Sequence, residues 1–289
     1  MKQKYIDWKP QKRTQPIIYT INLLIDDYFG KQGILLTVRQ IYYALIGKGI
    51  IGNGDAPYAN VQRLCKEGRM AGIIDWNAIE DRSRSFKERY HWDSPEDFLD
   101  SVVPQYKRDL WDTQRFYLEC WVEKDAQIGI VEQAALKRAC SSFSCRGNAS
   151  VSMLKESAER FKRKVRQGKK VVVLYLGDHD PAGLGMPESI REYWETFGAD
   201  AELVRLGITK EQAERYNLPS FPAKKSDSRT PKYAKQYGAG CWELDALPPD
   251  VVQKLIIDSI DSYLDHEEFN LAQKRQESEQ KELLSAIRR

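Results

Sequence analysis

Two short acidic motifs hold the side chains of this sequence best suited to chemistry. Glu123 stands in Val122-Glu-Lys-Asp125, and Asp178 and Asp180 stand in Gly177-Asp-His-Asp-Pro-Ala-Gly183. Each motif follows an apolar run, residues 116–122 and 171–176. Ligands of open parallel sheets bind beyond the carboxyl ends of the strands, so acids there are well placed. In extended chain, residues two apart point to the same side, and Asp178 and Asp180 can converge on one ion. Oxygen donors without His or Cys suit Mg²⁺, which keeps several waters and uses few carboxylates; Mn²⁺ can substitute. Such an ion neutralises a phosphodiester oxygen and stabilises an oxyanion leaving group. A plainer reading fits the same residues. Asp-x-Asp-Pro also makes an Asx turn that caps a helix, and Glu123 could pair with Lys124 or a distant Arg. His179, between the two acids, points away on an alternating strand and is read as a spacer.

These acids need a sheet to position them, and the pattern supplies one. Residues 116–122 read as a strand, 126–139 as a helix, 151–167 as a second helix, and a glycine loop (Arg146-Gly-Asn148) lies between the helices. The run 171–176 has the continuous apolar character of a strand buried on both faces. A helix over 186–197 and a strand over 201–206 follow. Strands alternating with helices imply a parallel, doubly wound sheet. The tail, 249–289, is helical, whereas 210–237 reads as an irregular or mobile loop rich in Pro and basic residues.

The N-terminal third follows a different pattern. Apolar residues at helical spacing cover 14–29 and stop at Gly30. Thr37-Val-Arg-Gln40 fits a capping box that opens a second helix. A third helix runs over about 58–69 and carries Arg63, Lys66 and Arg69 three residues apart, with Val61, Leu64 and Cys65 turned inward. Three short helices and a possible strand pair at 73–79 look like a winged helix-turn-helix. The basic stripe is either a DNA contact or a solvated face. Residues 91–110 read as a connector with Pro95 and Pro104 as breakers. The expected architecture is therefore mixed α/β, with a winged-helix (CAP-like) domain over 1–105 and a parallel α/β domain with C-terminal helices over 106–289.

Composition narrows the class. Hydrophobic residues make up 42% and charged residues 30% of 289, the balance of an ordinary globular protein. The longest apolar run is too short to span a bilayer, and no basic segment followed by an apolar one opens the chain. A cytoplasmic, DNA-associated location with no membrane contact is expected. Five cysteines without a CxxC pair, and three histidines, give no zinc pattern, so reduced buried thiols are expected. Net charge is only +3, yet residues 1–90 carry fifteen Lys and Arg against nine Asp and Glu. Phosphate contact and simple solubility both fit that excess.

At the acidic motifs the sequence resembles Toprim domains, most closely those of the topoisomerase VI A-like family, the DNA-cleaving component of type IIB topoisomerases, and of its relative, the meiotic double-strand-break protein. Val122-Glu-Lys-Asp-Ala126 and Leu176-Gly-Asp-His-Asp-Pro-Ala-Gly183 match the family's two acidic motifs, with the glycine loop between them. Thr37-Val-Arg-Gln-Ile-Tyr-Tyr43 is similar to the family's Arg-x-x-Tyr-Tyr segment, and Trp242-Glu-Leu-Asp-Ala-Leu-Pro248 also looks familiar. The resemblance covers most of residues 15–250. It implies that Tyr43 attacks DNA with Arg39 as its helper, and that Glu123, Asp178 and Asp180 hold Mg²⁺. It also implies a homodimer on double-stranded DNA in which the tyrosine of one protomer meets the metal of the other. Tyr43 is then expected too far from Glu123 for direct contact within one chain, around a basic groove lined by Arg63, Lys66 and Arg69.

Spacing agrees with part of this. Arg39, four residues before Tyr43, covers the same helical face as the phenol. A tyrosine of pKa about 10 is a poor nucleophile at neutral pH, and a neighbouring Arg favours its phenolate and grips a phosphate. Tyr42 and Tyr43 could equally be packing aromatics. Only about a dozen residues precede the first helix and there is no GxxxxGK[ST] motif. A separate ATPase (B-like) partner is therefore uncertain, and strand passage with it. Three functions remain open: tyrosine transesterification, hydrolysis by a metal-dependent Toprim nuclease, and DNA binding by an inactive site.

Overall fold

The computed structural model describes residues 1–80, 90–147, 149–224 and 226–287. Three helices open it: α1 (Gln15–Ile25), α2 (Val38–Gly47) and α3 (Asp55–Met70). A π-helical turn, Asp26–Gly30, extends α1. Thr37 starts α2 as its pattern requires. Its side chain accepts from the Gln40 amide, and the Gln40 side chain accepts from the Thr37 amide at 2.8 Å. Ile17, Ile21, Leu24, Ile41, Leu45, Val61 and Leu64 pack into one core. This is the helical period expressed as burial.

No strand pair forms at 73–79. Single bridges, Lys4 with Ala71 and Leu36 with Ile79, flank a 3₁₀ turn at Trp76–Ala78 capped by Asp75. Gly72 sits at φ +70° with the backbone of Lys4 against it, so the chain turns there rather than extending. Pro95 does not break a helix but begins one, α4 (Pro95–Val102), capped by Ser94. Pro104 lies in a 3₁₀ turn, Val103–Gln105.

Beyond the connector lie β1 (Phe116–Val122), α5 (Ile128–Leu136), β2 (Ser141–Ser144), α6 (Val151–Arg166), β3 (Lys170–Leu176), α7 (Pro181–Thr196) and β4 (Glu202–Gly207). The four strands form one parallel sheet in the order β2-β1-β3-β4. Its two central strands are buried on both faces. Leu118, Cys120, Val122, Val172, Leu174 and Leu176 meet α5 and the later helix α10 (Pro249–Asp261) on one side. Trp121, Val171, Val173 and Tyr175 meet α6 and α7 on the other. Period-two alternation thus fills two cores from one pair of strands.

Residues 210–224 and 226–237 hold regular elements rather than an irregular loop. They hold α8 (Lys210–Arg215), β5 (Phe221–Pro222) and α9 (Thr230–Tyr237), and β5 pairs antiparallel with β6 (Gly240–Cys241). Lys225 lies outside the described residues, as does Asn148 of the glycine loop. The tail is helical as expected, in α10 and α11 (His266–Ile287), with 288–289 beyond the described residues. All five cysteines are free and buried. Among the described residues no helix is long and apolar enough to cross a membrane.

Candidate active site

The central strands bring Glu123 and Asp178 to the same edge of the sheet. β1 and β3 are in register through Val122 and Leu176, so the next residues emerge together. Glu123 Oε2 accepts the Asp178 amide at 3.0 Å. Gly177 and Gly183 make this approach possible. A Cβ on Gly183 would stand 2.4 Å from the Asp178 carbonyl oxygen and 3.0 Å from Glu123 Oε2. Because the nearest obstacle is backbone, Gly183→Ala should destabilise the fold by about 2 kcal/mol. Urea denaturation checks this, and an unchanged midpoint would contradict the packing described.

Asp180 is the N-cap of α7, its Oδ1 accepting the Gly183 amide at 2.6 Å. The capping role of the Asp-x-Asp-Pro turn is therefore real. Asp178 Oδ1 accepts the Leu244 amide at 2.9 Å, and its Oδ2 pairs with Lys124. Lys124 thus pairs with Asp178, not with Glu123. Burial pushes the Glu123 carboxyl up to about 7, and the charges of Asp178 and Asp180 add to the shift. Burial likewise raises Asp178, against the pull of Lys124. The three acids share one end of the sheet, each turned toward a protein partner. Among the described residues no group of three or more His, Cys, Asp or Glu side chains is arranged to hold a metal ion.

His179 is more than a spacer. Its backbone pairs both ways with Trp242, at 2.8 and 3.0 Å. Its ring Nδ1 lies 2.7 Å from the Tyr233 hydroxyl, and Tyr237 and Trp242 pack edge-on around it. This clamp lays Trp242-Glu-Leu-Asp245 beside the acidic motif, which adds Glu243 and Asp245 to the site. Sequence reasoning gave those two residues no role. The signal was present, since two acids spaced two apart follow a short apolar stretch as Asp178 and Asp180 do. Arg205, also missed, lies on β4 and donates to the carbonyl oxygens of Gly177, Asp178, Gly183 and Ile208, tying the acidic loop to the sheet.

Glu243 connects the sheet to the helices. Its Oε2 accepts from Arg39 Nε at 2.8 Å and from Nη2, and lies 3.5 Å from Lys124 Nζ. The Arg39 guanidinium is 5.8 Å from the ring centres of both Tyr43 and Tyr58. Arg39 therefore does cover the Tyr43 face, as its spacing requires. Burial raises the Tyr43 phenol above its ordinary range; Glu243 raises it further and Arg39 opposes. The charged groups acting on Tyr43 are thus Glu243 and Arg39 rather than Glu123. Tyr42 has a packing role, donating to Asn53 Oδ1 at 2.7 Å and accepting the Gly54 amide at 2.8 Å.

Asp245 is the unusual member. Its side chain is fully enclosed, and among the described residues neither oxygen has a hydrogen-bond partner. The nearest cation is Arg39 Nε at 3.5 Å, already engaged with Glu243. Burial pushes this carboxyl up to about 6, with Lys124 and Arg39 opposing.

No family model, curated protein or solved structure matches this chain.

The basic residues of α3 are already partly engaged. Arg63 pairs with Glu67 and donates to Asn60, and Arg69 stacks on Trp76 at 5.3 Å, while Lys66 is exposed.

Proposed function

We propose that the chain cleaves double-stranded DNA by transesterification at Tyr43, in a Mg²⁺-dependent reaction. One observation carries this reading: Arg39 lies over the Tyr43 ring and is joined by ion pairs through Glu243 and Lys124 to Asp178. Tyr43 and Asp178 are thus linked within one chain, although they come from distant parts of it, whereas the resemblance implies a meeting across two protomers. In this reading the helices are a winged-helix-type DNA-binding unit without a paired wing, and the sheet is Toprim-like.

The chemistry asked of the chain is limited. The Tyr43 oxygen forms a bond to phosphorus, the bond from phosphorus to the 3′ oxygen breaks, and that oxygen leaves with a proton as a 3′-hydroxyl. The product is a 5′-phosphotyrosyl link. Arg39 holds the phosphate and favours the phenolate. A Mg²⁺ ion on Glu123, Asp178 and Asp180 would supply positive charge to the phosphate and the departing oxygen. The three side chains offer only oxygen donors, the type such an ion takes, and binding it would require each to turn from its present partner, the Asp178 amide, Lys124 and the Gly183 amide. Arg63, Lys66 and Arg69 would contact the duplex, and a homodimer would set two cuts on opposite strands. A separate ATPase partner would be needed only for strand passage.

A hydrolytic nuclease is the second reading, favoured by the burial of Tyr43 at 6% exposure and by its raised pKa. Water would then attack and Tyr43 would pack. Denaturing gels separate the two. Duplex DNA with Mg²⁺ should give a protein–DNA adduct with the wild-type chain and with Tyr42→Phe, and none with Tyr43→Phe. Undiminished cleavage by Tyr43→Phe would favour hydrolysis.

A further inference from the structure

Three carboxylates face the two cations of the cluster, and they differ in their freedom to move. Asp178 is fixed by the Leu244 amide and by Lys124. Asp245 is wholly enclosed and has no hydrogen-bond partner among the described residues. Glu243 borders an open cavity of about 160 Å³, shared with Arg39, Tyr42, Tyr43, Tyr58 and a second carboxylate, Asp55. Such a volume admits several waters or a small anion of phosphate size. The cavity's cation is Arg39, and the anion now on it is Glu243.

The contact between them is incomplete. Arg39 directs both Nε and Nη2 at a single carboxylate oxygen, Oε2. A guanidinium fork is best matched by two acceptor oxygens, as a phosphodiester presents. Glu243 also has a second cation to fall back on, Lys124 at 3.5 Å. Asp245, 3.5 Å from Arg39 and unable to leave, stays behind as a fixed counter-charge that keeps the guanidinium oriented.

We infer that this cavity is a phosphate subsite and that Glu243 is a displaceable stand-in for the phosphate. An entering phosphodiester takes Arg39 from Glu243, which withdraws toward Lys124. Its withdrawal also removes a negative charge that disfavours the Tyr43 phenolate. Glu243 is thus a positioning residue that guards the anchor, and Asp245 is its fixed counterpart. That the natural ligand is DNA rests on the function proposed above; the exchange of anions on Arg39 rests on this geometry alone.

Equilibrium binding of inorganic phosphate in EDTA tests the exchange without any cleavage. Glu243→Gln keeps the shape but removes the competing charge, and should tighten phosphate binding about tenfold. Arg39→Gln should abolish that gain when combined with it. Glu243→Asp, which keeps the charge but draws it back by one methylene, should give a smaller gain and serves if the Gln variant does not fold. In the wild-type chain, saturating phosphate should shift the NMR resonance of the Arg39 Nε–H group. Unchanged phosphate affinity in Glu243→Gln, a gain that persists without Arg39, or an unmoved Arg39 resonance would each overturn the inference. Phosphate exchange without DNA adducts would leave the subsite standing and count against the transesterase.

Discussion

Glu123→Gln is expected to stabilise the protein above pH 7 by up to about 3 kcal/mol while abolishing DNA cleavage. The opposite signs share one cause. Burial, with the nearby charges of Asp178 and Asp180, pushes the Glu123 carboxyl up to about 7 from an unfolded value of 4.5. Between those values the folded chain holds a proton that the unfolded chain has released. Stability therefore falls as pH rises through that window, and the whole cost is present above 7. Glutamine removes the charge and still offers a carbonyl oxygen to the Asp178 amide. Asp245, pushed up to about 6 from 3.8, adds a similar fall at slightly lower pH that this variant keeps. Urea midpoints in EDTA at pH 5 and pH 8 check the effect: the gap between variant and wild type should widen with pH. A variant less stable than wild type at pH 8 would show that the Glu123 charge is stabilised by the fold rather than penalised by it. Sites that bind ions or substrates commonly carry this kind of cost.

Lys124→Met should have the opposite effect. Lys124 pairs with Asp178 and lies 3.5 Å from Glu243, and its charge also acts on Asp245. Removing one partner from a largely buried ionic cluster leaves carboxylates uncompensated, a loss typically of about 3–5 kcal/mol. One third of the Lys124 side chain is exposed, so the lower end of that range is expected here. At pH 5 the loss should shrink, because the abandoned carboxylates can take up protons instead. Mg²⁺ at pH 8 should restore part of the melting temperature if the acids bind it, since a divalent ion supplies the missing charge. Equal losses at both pH values would mean that Lys124 contributes packing rather than charge.

Much of the framework was legible because local pattern and burial agree. The strands at 116–122 and 171–176 alternate between two cores, so period and apolarity identify them together. The Thr37 capping box is a four-residue signal read without tertiary information. What was not legible depends on distant partners. β2 is four residues long, serine-rich and partly exposed at a sheet edge, and carries neither period nor apolarity. The segment 73–79 has strand-like residues, yet Gly72 and the cap at Asp75 turn it into a 3₁₀ element. Residues 210–237 are polar enough to pass for a loop, but Tyr233 and Tyr237 anchor α9 on His179. The same anchoring explains the site. Glu123, Asp178, Tyr43 and Arg39 could be named from their motifs, whereas Glu243 and Asp245 gain meaning only when His179 and Trp242 pair across about sixty residues of chain. Asp180 reads from the sequence both as a metal ligand and as a helix cap, and in the structure it caps α7.

The central claim is that Tyr43 becomes covalently bonded to DNA. The direct measurement is mass spectrometry of the protein after incubation with duplex DNA and Mg²⁺, denaturation, and digestion by nuclease and protease. The peptide containing Tyr42 and Tyr43 should carry a nucleotide joined through its 5′ phosphate, with fragmentation placing the mass on Tyr43. Cleaved DNA bearing free 5′ phosphates, together with an unmodified Tyr43 peptide, would contradict it.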